Sequence, residues 1–80
     1  MTTPLQLIEA LGERFPDLGV AYTATEDGNV IASVKGPKAD RVIDRIRKNY
    51  KSRFIVEMLS HVGQDGNPVV LVRIIPVERD

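Results

Sequence analysis

Six stretches of patterned hydrophobicity account for most of the chain. Leu5, Ile8, Leu11 and Phe15 recur at helical spacing, with Leu7 flanking the stripe. Thr3 precedes them as a cap, Pro4 suits the first helical position, and Gln6 stands at capping-box spacing. Pro16 ends this helix, because the residue before a proline is forced out of the α region. Gly12 inside it costs about 1 kcal/mol relative to alanine. Next, Val20 to Thr25 alternates the larger Val20 and Tyr22 with small or polar residues, the period of a half-buried strand. Glu26-Asp27-Gly28-Asn29 reads as a hairpin turn. Val30 to Lys35 returns as a second strand, with Val30, Ala32 and Val34 on one face and Ile31, Ser33 and Lys35 on the other.

Gly36-Pro37 breaks that strand and opens a second helix, with Pro37 near its first position. Ala39, Val42, Ile43, Ile46 and Tyr50 form its apolar stripe. Lys38, Arg41, Arg45 and Lys48 line its outer side, and Asp44 stands at ion-pair spacing from Lys48. The third strand is expected over Arg53 to Val62. Strict alternation puts Phe54, Val56, Met58 and Val62 in the core and Ile55, Glu57, Leu59 and His61 on the opposite face. After a loop over Gly63 to Pro68 comes Val69 to Val77, the most apolar and most β-branched run in the chain. Val70, Val72 and Ile74 take one side of it; Val69, Leu71, Arg73, Ile75 and Val77 take the other. Pro76 has no amide hydrogen, so ladder pairing should fail near it on one side.

The order helix, strand, strand, helix, strand, strand predicts an α+β domain spanning residues 1–80. Two helices cover one face of a four-stranded, mostly antiparallel sheet. The crossover through the second helix can leave a gap of one strand, which the last strand fills. The expected sheet order is 1-2-4-3, a circularly shifted ferredoxin-like arrangement, with 1-2-3-4 as the alternative. The apolar excess of the last strand suits a central position.

Composition narrows the function. A chain of 80 residues buries only about 60–65% of its unfolded surface, so the core is small. There is no cysteine, which excludes disulfides, thiolate catalysis and thiolate metal sites, and fits a cytoplasmic protein. Apolar runs are too short to span a bilayer, and Met1-Thr2-Thr3-Pro4-Leu5 lacks the basic and apolar segments of a secretory signal. Net charge is zero but unevenly spread. From Lys35 to Arg53 eight basic residues face Asp40 and Asp44, a net of +6, and the remainder carries −6. Such a dipolar surface steers charged partners.

Candidate chemistry is sparse. His61 is the sole histidine, with Glu57 nearby, and no cysteine or second histidine completes a metal site. Asp27 and Asp65 sit in Asp-Gly turns, where backbone geometry explains them, and Glu26 flanks one. The glycine clusters lack the Lys-Ser/Thr ending of a phosphate loop. Lys35-Gly36-Pro37-Lys38 places basic residues at a helix start, a turn that could hold an anion. No catalytic residue, metal or cofactor is expected, and the chain is not read as an enzyme.

Two surfaces remain. The sheet face opposite the helices is expected to carry Ile31, Ile55, Leu59, Leu71, Arg73 and Ile75, a half-apolar set of the kind that meets a protein partner or a second copy. The row Lys38, Arg41, Arg45 and Lys48 is either a solvated helix face or a contact for an acidic protein, nucleic acid or another polyanion.

The segments Arg47 to Lys51, Phe54 to Val62 and Val69 to Arg79, joined by a Gly/Asp loop, resemble the N-terminal α+β part of the 30-kDa subunit family of NADH:quinone oxidoreductase and related hydrogenases. That resemblance implies a cofactor-free α+β module docking onto neighbouring subunits of a cytoplasmic redox complex. The family's longer C-terminal portion has no counterpart in these residues. The expected function is therefore a non-enzymatic interaction or assembly module, with polyanion binding through the basic helix as the alternative.

Overall fold

The computed structural model describes residues 3–63 and 67–77. Helix α1 spans Pro4–Arg14. The Gln6 amide donates to Thr3 Oγ1 at 3.2 Å and the Thr3 amide donates to Gln6 Oε1 at 2.9 Å, so the reciprocal cap is complete. The chain then turns through Leu18, whose amide donates to the Phe15 carbonyl at 3.0 Å. Leu18 is buried, so this connection also plugs the core.

Strands β1 (Gly19–Ala24) and β2 (Val30–Lys35) form an antiparallel hairpin from Gly19↔Lys35 to Ala24↔Val30. Its loop is closed by the Thr25 amide donating to the Asn29 carbonyl at 2.8 Å. Gly28 takes a positive φ of 82°, and Asp27 does not. One left-handed residue therefore suffices, because the loop is longer than the tightest hairpins. Between β2 and the next helix, Gly36 has φ 143°, and a Cβ there would lie 2.8 Å from Leu18 Cδ2 and 3.2 Å from the Asp17 carbonyl oxygen. Glycine is required twice over, by conformation and by space.

Helix α2 spans Ala39–Asn49. It starts two residues after Pro37, which is expected near its first position. Lys38 is its N-cap, in a left-handed conformation with φ 61° and no side-chain cap bond. In its last turn Arg47 and Lys48 reach back to Asp44, with Lys48 Nζ at 3.1 Å and Arg47 Nη2 at 3.2 Å from its carboxylate. Strands β3 (Phe54–Val62) and β4 (Val69–Pro76) complete the sheet.

The sheet order is β1-β2-β4-β3, and every neighbouring pair is antiparallel. The crossover from β2 through α2 to β3 leaves one gap, and β4 fills it. Pairing of β4 with β2 stops at Ile74↔Val30, while pairing with β3 continues to Phe54↔Pro76. The Val77 amide then donates to the Arg53 carbonyl at 2.9 Å. Pro76, lacking a donor, thus sits where the ladder has ended on the β2 side.

The core lies between the helices and one face of the sheet. Val30, Ala32 and Val34 of β2 and Val70, Val72 and Ile74 of β4 form its floor, joined by Phe54 and Val56 of β3. Leu7, Ile8 and Leu11 of α1 and Ala39 and Ile43 of α2 form its roof. Each fully buried aliphatic side chain contributes about 1.5–3 kcal/mol of transfer free energy.

One register irregularity changes the expected faces. Met58 opposes Val72 and Ser60 opposes Leu71, so Leu59 is an inserted residue, a β-bulge. Beyond it the alternation is reversed. His61 opposes Val70, on the helix side, with Nε2 3.9 Å from Asp40 Oδ2 of α2. Val62 opposes Val69, on the outer side. Strict alternation had placed these two residues the other way round; one extra residue is enough to exchange them.

Candidate functional site

The sheet face away from the helices follows from the register. One row crosses all four strands as Thr23, Ile31, Arg73 and Glu57. The next runs Ala21, Ser33, Leu71 and Ser60, and a third ends in Lys35, Val69 and Val62. Ile75 and Ile55 face each other on the opposite flank. The β1 side is low, built of Gly19, Ala21 and Thr23, so the bulky apolar groups gather on β2, β4 and β3.

Of the residues expected at this surface, Ile31, Ile55, Leu71, Arg73 and Ile75 are brought onto one face. Leu59 stands in the bulge without a register partner and is 38% exposed. Val69 and Val62 join the face. In the centre, Arg73 Nη1 lies 3.5 Å from Glu57 Oε1 across the strands, both side chains close to half exposed. An exposed cross-strand pair of this kind contributes about 0–1 kcal/mol. Its larger effect is to let the two charges satisfy each other within an apolar surround.

The second feature is the β3 edge. Among the described residues the large exposed apolar ones are Leu5, Tyr22, Ile55, Met58, Leu59 and Val62, and four of these six belong to β3. On this strand Phe54 and Val56 alone are buried. Met58, expected in the core, opposes the buried Val72 but is 39% exposed. Tyr22 is on the helix side as expected but is also exposed, its hydroxyl donating to Glu9 Oε1 at 3.5 Å. Because β3 is an outer strand of the sheet, one row of its backbone donors and acceptors is available to another strand.

The basic row is present on α2. Lys38, Arg41, Arg45 and Lys48 are all exposed. Lys48 is engaged by Asp44. Arg41 and Arg45 have no ion pair among the described residues. The turn before the helix is occupied by its own hydrogen bonds: the Gly36 amide donates to the Pro68 carbonyl and the Ala39 amide to the Gly36 carbonyl, both at 3.2 Å.

The candidate acids and base are scattered. Glu26 and Asp27 are exposed in the β1–β2 hairpin, Glu57 is paired with Arg73, and His61 lies beside Asp40. Asp65 lies outside the described residues. Among the described residues no three His, Cys, Asp or Glu side chains gather where they could hold a metal ion.

Two concavities mark the helix layer. A cleft of about 140 Å³ runs between α1 and α2, with Leu7 and Leu11 at its base and Arg14 and Arg45 among its lining. A shallower hollow beside Gly12 and Val20 is flanked by Glu9, Glu13 and Tyr22. No described helix is long and apolar enough to cross a membrane. Compared with known protein families, with characterised proteins and with solved structures, this small α+β chain matches none.

Proposed function

We propose that this protein is a non-enzymatic interaction module whose open sheet face and β3 edge dock a protein partner or a second copy of the chain. The observation that carries this reading is the concentration of exposed apolar side chains on β3, continuous with Ile31, Leu71 and Ile75 around the Arg73–Glu57 pair. Contiguous apolar surface is unfavourable in water, and an apolar centre with a few polar groups is the usual composition of a docking patch. The likeness of β3 and β4 to the 30-kDa subunit family of NADH:quinone oxidoreductase supports the same reading and suggests a neighbouring subunit of a cytoplasmic redox complex as the partner. Native mass spectrometry across a concentration series, together with capture from a lysate, tests it. Wild type should associate, and Leu71→Glu or Leu59→Lys should abolish association while the domain stays folded. A wild type that remains monomeric at high concentration and captures nothing ends the proposal.

A second reading is polyanion binding through α2. The observation in its favour is that Arg41 and Arg45, beside Lys38, have no ion pair among the described residues. Binding to generic duplex and single strands would then weaken steeply with salt. Reversal of Arg41 and Arg45 to glutamate should remove it. Absence of binding at low salt eliminates this reading.

A further inference from the structure

We propose that the cleft between α1 and α2 is a binding site for a small amphipathic carboxylate, one aromatic ring or a short alkyl chain ending in a carboxylate. The site is independent of the sheet face, which lies on the other side of the molecule. Its apolar part is built from the helix stripes. Leu7 and Leu11 form the base, while Phe15, Val42, Ile46 and Tyr50 stand around it, packed against the core without being fully buried. The two helices therefore do not close over each other. They leave about 140 Å³, close to the cavity of about 150 Å³ that accepts a benzene ring. That volume sets the size of the apolar body.

Charge sets the rest of the ligand. The cleft is lined by Arg14 of α1 and Arg45 of α2, and its described lining holds no carboxylate. The nearby Arg47 and Lys48 are held by Asp44, whereas Arg45 has no such partner among the described residues. Arg14 stacks over the Phe15 ring, 6.0 Å from its centre, and makes no ion pair there. The two guanidinium groups line the cleft from opposing helices, and arginine forms charge-assisted, bidentate hydrogen bonds to a carboxylate. Arg14 sits in the last turn of its helix, where the backbone carbonyls carry about half a negative charge. Two full positive charges outweigh that repulsion. A cation is rejected, and a phosphate alone gains nothing from the apolar base.

The test is a titration of the isotopically labelled protein with benzoate and with hexanoate at matched ionic strength, read from backbone amide shifts. Benzamide and inorganic phosphate serve as the neutral and the purely anionic comparators. Both carboxylates should move the amides of Phe15, Ile46 and Tyr50 saturably and leave Leu71 and Ile55 unmoved. Benzamide and phosphate should each bind at least about tenfold more weakly. Arg14→Gln and Arg45→Gln should each weaken benzoate by about tenfold. Ala10→Phe, which fills the cleft and keeps both arginines, should abolish binding with the amide spectrum otherwise intact. The proposal is overturned by linear, non-saturating shifts. It is equally overturned by benzamide or phosphate matching benzoate, or by Ala10→Phe binding as wild type does.

Discussion

The two faces of β4 carry almost the same side chains and have opposite fates. Val70, Val72 and Ile74 point to the helices and are at most 2% exposed. Val69, Leu71 and Ile75, on the other side of the same strand, are only partly covered. Nothing in the hydrophobicity of the residues distinguishes these sets. What distinguishes them is that both described helices, α1 and α2, lie on one side. The inner face is therefore stabilising in the isolated molecule, and the outer face is apolar area whose free energy is still to be gained on contact.

The comparison is broken most directly by paired truncations. Ile74→Ala should destabilise the fold by about 2–5 kcal/mol, because it removes a buried side chain and leaves a cavity. Ile75→Ala, one residue away, should stay below about 1 kcal/mol in the monomer. Denaturant unfolding of the two variants measures both, and equal losses would mean that the outer face is packed in the isolated chain.

A smaller effect on stability is expected from deleting Leu59. Without the inserted residue the ladder runs regularly, with Ser60, His61 and Val62 still opposite Leu71, Val70 and Val69 and on the same faces. The change should be about 1–2 kcal/mol, and His61 should keep its proximity to Asp40. Side-chain contacts measured by nuclear Overhauser effects would report this. Transfer of His61 to the outer face would show that Leu59 is not the inserted residue.

Leu71→Glu sharpens the functional half of the comparison. Its stability should change by less than about 1 kcal/mol because the site faces solvent, yet association through the sheet face should be lost. The smallest effect belongs to the central ion pair. A double-mutant cycle over Glu57→Gln and Arg73→Gln should give a coupling of about 0.2–1 kcal/mol, shrinking further in high salt.

Much of the fold was legible in local chemistry. Thr3, Pro4 and Gln6 define the start of α1 through bonds made within one turn. Gly28 announces the first hairpin, and the apolar excess of Val70, Val72 and Ile74 marks β4 as central. Local signals were weaker at Lys38, which supports a helix start from a left-handed conformation with no capping side chain. The outer-face set was legible wherever alternation holds, which covers Ile31, Ile55, Leu71, Arg73 and Ile75. It failed after Met58, since a bulge depends on how β3 meets β4 and leaves no composition signal in Phe54 to Val62. The interhelical cleft was not legible at all. Phe15, Val42 and Ile46 read as core residues, and the gap between them arises from how far apart the sheet holds the two helices.

The amino-acid sequence by itself determined the six elements, their order and the grouping of residues into faces outside the bulge, because these depend on periodicity, caps and turns acting over a few residues. The insertion of β4 between β2 and β3 followed from the same pattern together with the geometry of crossovers. Tertiary structure alone decided which half of β3 is covered, on which side His61 and Val62 lie, and that Arg14 and Arg45 share a cleft. Those outcomes depend on how the helix layer lies over β3, on one inserted residue, and on the spacing of helices held apart by the sheet, all of which are relations between distant segments.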